Sequence, residues 1–162
     1  MSRPVITRIH AFAASLAFLT ILAFWTSTVA VELLGGPAQI AAVKRAILAG
    51  LAILVPALAL AGATGMRLGG KATGGLARAK KRRMPFIAAN GLLILVPCAV
   101  ILDRLASAGD FGALFVGLQA LELAGGAVNL TLLGLNMRDG LRMTGRIRRP
   151  AREPGGTAAQ RG

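Results

Sequence analysis

The sequence predicts an all-α, polytopic membrane protein in which four transmembrane helices form an up-down-up-down bundle. Four apolar runs, at residues 9–34, 38–66, 84–106 and 111–136, each exceed the about 20 residues that an α-helix needs to cross about 30 Å of hydrocarbon. A soluble domain of 162 residues, 55% of them hydrophobic, could not bury four such runs. Short connections within each pair of runs make the paired helices antiparallel neighbours.

The elements follow from local signals. The first run is too long for the apolar part of a signal peptide, so we expect an uncleaved first helix. Residues 35–37, Gly-Gly-Pro, end that helix and begin the second. Residues 107–110 join the third helix to the fourth, with Asp110 as a plausible N-cap. Pro56 and Pro97 lie inside the second and third runs, and each should kink its helix or free a backbone carbonyl.

Charge predicts the orientation. The net charge is +13, and the cations cluster before the first run, in the connection after the second run and beyond the fourth. The opposite rim carries charges that sum to zero: Glu32, Lys44, Arg45, Asp103, Arg104 and Asp110. The positive-inside rule therefore places both termini and the connection between the second and third helices of this multi-pass protein in the cytoplasm. The cations flank membrane spans, so no nucleic-acid partner is expected.

One transmembrane domain is predicted for residues 1–149, followed by a disordered basic tail at residues 150–162. Small residues at four-residue spacing on the helices would allow close helix packing, or a homodimer or larger membrane complex.

Glu122 is the most unusual residue of the spans. Counted from residue 111, it lies about 16 Å into the membrane at about 1.5 Å per residue. Carboxyl groups at such depth are costly, so they are usually paired or functional. Gln119 and Asn129 are placed to share a face with Glu122, and Asn90 of the third run is a candidate partner. Two hypotheses stay open: a proton-carrying or ligand-binding carboxyl, and a neutral carboxyl hydrogen-bonded within the bundle.

Charged residues at the outer rim form a second candidate set. Glu32 ends the first helix, and Lys44 with Arg45 lies about two turns into the second. A tight hairpin should bring them together as ion pairs, with Asp103 and Arg104 as further candidate members of the set; the alternative is a ligand site at the outer mouth.

A third set lies at the cation-rich end of the four spans, which is called the basic end below. His10, Met66, Met84 and Met137 fall near the same end of the four helices. Imidazole and thioether groups are ligands for Cu(I) or haem iron, so a small redox protein is a weak alternative. No haem or metal is expected in the leading hypothesis.

Basic residues next to the spans are predicted to contact anionic lipid head groups: Lys80, Lys81, Arg82, Arg83, Arg138 and Arg142. Each such cation contributes about 1 kcal/mol near an anionic surface. No nucleophile–base set, phosphate loop or zinc spacing is recognisable in the sequence.

Three stretches carry a resemblance: FWTST at residues 24–28, KRRMPFIAANG at 81–91 and NLTLLGLNMRDG at 129–140. They resemble an uncharacterised group of small bacterial four-helix inner-membrane proteins. The resemblance implies a bacterial inner-membrane setting and no activity. The sequence therefore favours a non-enzymatic accessory or ligand-binding module, with a proton-coupled carrier as the alternative.

Overall fold

The structure, a computed structural model, describes residues 2–70 and 75–143. The described chain forms α1 (Arg3–Leu34), α2 (Pro37–Gly69), α3 (Gly75–Asn90), a π-helical segment (Gly91–Leu95), α4 (Val96–Ser107) and α5 (Ala113–Met143). The third span consists of α3, the π-helical segment and α4, and all four spans are long and apolar enough to cross a membrane. The predicted all-α, four-span fold is confirmed. Orientation stays a prediction, and the predicted tail at 150–162 lies outside the described residues.

The helices extend beyond the apolar runs that predicted them. At the basic end, α1 begins at Arg3 and α5 continues to Met143. The third span begins at Gly75, nine residues before the predicted start at residue 84. Hydrophobicity marks the part of a helix that meets hydrocarbon, whereas Lys and Arg are good helix formers that continue the helix into the polar region.

The first hairpin turn is tight. The Gly35 N–H donates to the Val31 carbonyl at 2.9 Å, and a Cβ at Gly35 would lie 2.7 Å from that same oxygen. Only glycine fits there without movement. The Gly36 N–H then donates to Gln39 Oε1 at 2.9 Å, which satisfies a backbone donor at the start of α2.

The second hairpin turn is a Schellman motif. Gly109 has φ 73°, its N–H donates to the Ala106 carbonyl, and the Asp110 N–H donates to the Leu105 carbonyl. The Asp110 carboxylate accepts the Gly112 N–H at 3.0 Å just before α5. Asp110 thus accepts a backbone N–H close to the helix start, but the N-cap position is Gly112, two residues later than predicted, because α5 begins at Ala113.

The four spans pack as a square in which spans that follow each other along the chain are neighbours. α1 lies against α2 and α5, and α4 lies against the same two helices, so α2 and α5 are diagonal. One apolar cluster joins α1 to α2 through Ala17, Ile21, Leu54 and Ala57. A second joins α4 to α5 through residues that include Leu102 and Phe115.

The third span changes its packing at the π-helical segment. α4 packs against both α2 and α5, whereas α3 packs on α5 and barely meets α2. Gly91–Leu95 ends two residues before Pro97, which has no N–H to continue an α-helical ladder. π-Bulges and prolines are the usual places where helices change direction. A gap is therefore left between α2 and α3 at the basic end.

Candidate ligand cavity and buried ion pair

A cavity of about 1010 Å³ occupies this gap and continues into the bundle. Its wall runs along α2 from Ile47 to Gly69, and α1 contributes to it at two places, within residues 3–10 and within residues 21–25. The α2 stretch covers about 33 Å at about 1.5 Å per residue, comparable with the hydrocarbon thickness of a bilayer. The volume lies at the upper end of the about 300–1,000 Å³ typical of small-molecule sites.

The cavity wall is mainly apolar and opens sideways between α2 and α3. Val55, Met66 and Leu92 line it, yet they are 41%, 75% and 59% exposed. Side chains that line a cavity and remain exposed stand at its opening. The opening therefore faces the surroundings of the bundle, where lipid would lie around a membrane-inserted protein.

Cations stand at the basic end of the cavity. Arg3 of α1 and Lys80 and Lys81 of α3 are part of its lining, close to Thr7 and His10. Lys81 also donates to the Gly70 carbonyl at 2.8 Å, which ties α3 to the end of α2. The cationic groups of this mouth thus come from two helices on either side of the cavity.

An ion pair lies toward the other end. Lys44 Nζ of α2 donates to Glu122 Oε2 of α5 at 2.5 Å, with the Lys44 side chain fully buried and that of Glu122 13% exposed. Glu122 is part of the cavity wall. Because α2 and α5 are diagonal, the pair crosses the centre of the bundle. The partner of Glu122 is therefore Lys44, and the Asn90 amide that the sequence offered as a candidate partner bonds elsewhere.

The predicted rim pairing of Lys44 with Glu32 is therefore wrong. Lys44 faces the bundle interior, in line with the buried Ile47 of the next turn. Arg45 points elsewhere and donates to Ser107 Oγ at 3.0 Å, across to the end of α4. One carboxylate oxygen each of Glu32 and Asp103 is buried without a hydrogen-bond partner among the described residues. Arg104, also assigned to the rim, is exposed near the end of α4.

Asn90 and Asn129 fasten α3 to α5 beside the π-helical segment. Asn90 Nδ2 donates to the Gly125 carbonyl and to Asn129 Oδ1, both at 2.9 Å. Asn129 is 1% exposed and lies 3.5 Å from the Ile87 carbonyl through Nδ2. These two candidate site residues therefore lie together and hold α3 against α5. The Gln119 amide, the third candidate, is buried with no hydrogen-bond partner in the described chain.

Trp25 fixes α1 to α5 at the cavity wall. Its Nε1 donates to the Leu123 carbonyl at 3.0 Å, and a Cβ at Gly126 would lie 3.0 Å from Trp25 Cδ1. The small residue at 126 thus makes room for the indole. The sequence contains no other tryptophan.

His10 and the three methionines do not share one arrangement. His10 Nδ1 lies 3.0 Å from the Ala61 carbonyl and 3.1 Å from Thr64 Oγ1, so Nδ1 carries the proton that is donated to the carbonyl. Met84 Sδ accepts from Asn136 Nδ2 at 3.5 Å. His10, Met66 and Met84 line the cavity, whereas Met137 is 37% exposed and lies outside its lining. Within residues 2–70 and 75–143, no three His, Cys, Asp or Glu side chains group as metal ligands.

Some of the cations predicted to contact lipid head groups instead contact a buried carboxylate of the bundle, and others do not. Arg83 Nη1 pairs with Asp139 Oδ2 at 2.7 Å and lies 3.3 Å from Asn136 Oδ1, which makes it a helix–helix contact. Arg138 approaches Asp139 Oδ1 to 3.5 Å while remaining 49% exposed. Asp139 is 1% exposed, and this explains why Arg83 turns inward rather than toward a membrane surface. Arg82 is exposed, and Arg142 Nε is buried without a hydrogen-bond partner in the described residues.

Comparison of the chain with protein-family models, curated proteins and solved structures finds no match. The family resemblance carried by the three sequence stretches therefore stays a prediction.

Proposed function

We propose that this protein is a non-enzymatic, multi-pass protein of the bacterial inner membrane, and that it acts as a ligand-binding module. The observation that supports the proposal is the cavity of about 1010 Å³, with its long apolar wall and lateral opening. Pockets that combine an apolar wall with a few placed polar groups are the usual sites of small ligands. The arrangement with both termini in the cytoplasm rests on the cation asymmetry and is testable by reporter fusions at Gly36 and after Leu68.

A cavity-filling substitution tests the ligand site. A Cβ at Gly62 would have no atom within 4 Å, and Gly62 lines the cavity. Gly62→Phe should therefore place a ring in the cavity from a position where the added Cβ meets no neighbour. Gly117 provides the matched control, because a Cβ there also meets nothing within 4 Å, yet Gly117 lies outside the cavity lining and is exposed. Both changes replace a helix glycine by the same residue, so the change in helix propensity is the same in the two variants.

Trp25 provides the measurement, because it is the only tryptophan and lines the cavity. In vesicles of phosphatidylcholine with brominated acyl chains, a chain inside the cavity quenches Trp25 fluorescence by contact. We expect Gly62→Phe to reduce the quenching and Gly117→Phe to leave it unchanged. Equal quenching in all three proteins would remove the cavity as a ligand site.

A second function, proton-coupled carriage of a small solute, is favoured by the position of Glu122. Its carboxylate lies both on the cavity wall and in the ion pair with Lys44. A carboxyl in this place would exchange a proton with the cavity if Lys44 moved away. In that case Glu122→Gln abolishes pH-dependent uptake into proteoliposomes under conditions where circular dichroism shows that the destabilised variant is still fully helical. Uptake that is unaffected by Glu122→Gln would exclude this function.

A further inference from the structure

We propose that the ligand of the cavity is an anionic glycerophospholipid of the surrounding bilayer. Its head group would lie at Arg3, Lys80 and Lys81, and one acyl chain would follow α2 toward Trp25. The inference rests on the proposed function, since it names the chemistry of the ligand for the same cavity.

The shape of the cavity favours an elongated ligand. A volume of about 1010 Å³ distributed over a length of about 33 Å leaves a mean cross-section of about 31 Å². A compact ring system would use only a small part of such a space, whereas an extended hydrocarbon chain can use its length. The wall agrees with this, because Leu51, Leu54 and Leu58 line it at one-turn spacing along α2.

The charges of the cavity favour an anionic head group at one end only. Arg3, Lys80 and Lys81 line the basic mouth, and the one acidic residue within the described lining is Glu122. Glu122 lies 18 residues before Gly140, which neighbours Lys80, so it is about 27 Å away along α5. Its charge is already balanced by Lys44. The mouth is therefore cationic, and the rest of the wall is mainly apolar, with Asn129, Trp25 and the neutralised Glu122 as its polar side chains.

The lateral opening favours a ligand that comes from the bilayer. A water-soluble ligand would enter at the end of the bundle, whereas Val55 and Leu92 show that the cavity is open along its side. A phospholipid has its head at the membrane surface and its chains in the hydrocarbon, the same order as the cations and the apolar wall. Passage between α2 and α3 would keep the head group at that surface throughout.

The test uses the full-length protein in vesicles of phosphatidylglycerol and phosphatidylcholine, with bromine on the chains of one lipid at a time. At equal mole fractions, brominated phosphatidylglycerol should quench Trp25 more strongly than brominated phosphatidylcholine. Arg3→Gln and Lys80→Gln should each lower the relative association constant of phosphatidylglycerol about fivefold, the effect expected for one cation near an anionic head group. Added salt should weaken the preference, because it screens exposed charges.

Two neighbouring arginines serve as matched controls. Arg8 of α1 and Arg82 of α3 are exposed at the same end of the bundle and lie outside the cavity lining. Arg8→Gln and Arg82→Gln remove the same charge from the membrane surface. Because such exposed cations contact only the lipid around the bundle, these changes should lower the phosphatidylglycerol preference reported by Trp25 far less than the about fivefold loss expected for Arg3→Gln and Lys80→Gln. An equal loss in the controls would assign the preference to the general surface charge and overturn a cavity head-group site.

The remaining outcomes separate the two proposals. Equal quenching by the two brominated lipids, with the Gly62→Phe effect intact, would refute an anionic lipid and keep the ligand site. Identical quenching of Gly62→Phe, Gly117→Phe and the wild type would remove the site itself. Stronger quenching by brominated stearate than by brominated phosphatidylglycerol would assign the cavity to a free fatty acid and overturn the phospholipid.

Discussion

Replacing the buried Lys44 by methionine should destabilise the bundle more than the removal of any single exposed charge does. The Lys44 ammonium is fully buried and its partner, the Glu122 carboxylate, is 13% exposed. Removal of one member of a buried pair leaves the other uncompensated, at a cost of about 3–5 kcal/mol. Methionine keeps a similar side-chain length and volume, so most of the loss is electrostatic.

The neighbouring residue provides the control. Arg45 is exposed and its guanidinium bonds to Ser107 Oγ at 3.0 Å, a contact of the surface type. Arg45→Met should cost about 0–1 kcal/mol, as exposed polar pairs do. The two substitutions thus remove one cation each from adjacent positions of α2, and only burial and pairing distinguish them.

Unfolding by titration with SDS in mixed micelles, followed by helical circular dichroism, measures the free energy of unfolding of each variant. The double variant Lys44→Met/Glu122→Leu should recover most of the loss, because a hydrophobic pair that replaces a buried ion pair is often neutral or stabilising. If Lys44→Met lowers the free energy of unfolding by no more than Arg45→Met does, the buried ion pair between Lys44 and Glu122 is refuted. A double variant as unstable as the sum of the single variants would show that the two side chains are independent.

Two further predictions concern glycines. A Cβ at Gly50 would lie 2.5 Å from the Phe24 ring, so Gly50→Ala should cost about 1–3 kcal/mol in thermal or SDS unfolding. Gly62→Ala, whose added Cβ meets no atom within 4 Å, should raise the free energy of unfolding by about 0.5–1 kcal/mol. Equal changes in stability for Gly50→Ala and Gly62→Ala would contradict the close approach of α1 and α2 at Gly50. Gly109→Ala, at φ 73°, should cost about 1–2 kcal/mol, and an unchanged melting midpoint would argue against the left-handed turn.

The fold was predictable because the bilayer leaves few solutions. Backbone groups in hydrocarbon must be satisfied internally, so an apolar run of sufficient length becomes a helix. Short connections then fix which helices lie side by side. The exact helix ends were less predictable, since residues 75–83 carry polar and cationic side chains and are nevertheless helical.

The partner of Glu122 was missed for a physical reason. Sequence distance from the turn placed Lys44 on the rim, but its rotational position on α2 decides where it points. Lys44 is in phase with Ile47, Leu54, Ala57 and Ala61, the buried positions of the same helix. That periodicity was a signal for an inward lysine. It is weak in a membrane helix, because apolar residues occupy the lipid-facing side as well as the buried side.

The cavity could not be predicted from the sequence. It depends on the separation of α2 and α3, which follows from the packing of α3 on α5 and from the π-helical segment before Pro97. A proline predicts a local loss of helical hydrogen bonding, but it does not predict whether the helix is interrupted. At Pro56, α2 continues as an α-helix. The direction of a helix after such a disturbance is set by its neighbours.

The diagonal ion pair has a consequence for biogenesis. Lys44 and Glu122 are 78 residues apart, in the second and the last helix to be synthesised. A lysine costs about 2.5–3.5 kcal/mol at the centre of an inserting helix on translocon scales, and Lys44, about two turns from the start of α2, has a smaller cost of the same sign. When α1 and α2 have been released into the membrane, Lys44 still has no carboxylate, and its charge must remain hydrated or turned toward the interface. The first hairpin is therefore an incomplete unit until α5 arrives, and a chain truncated before Ala113 would be expected to meet membrane quality control rather than accumulate.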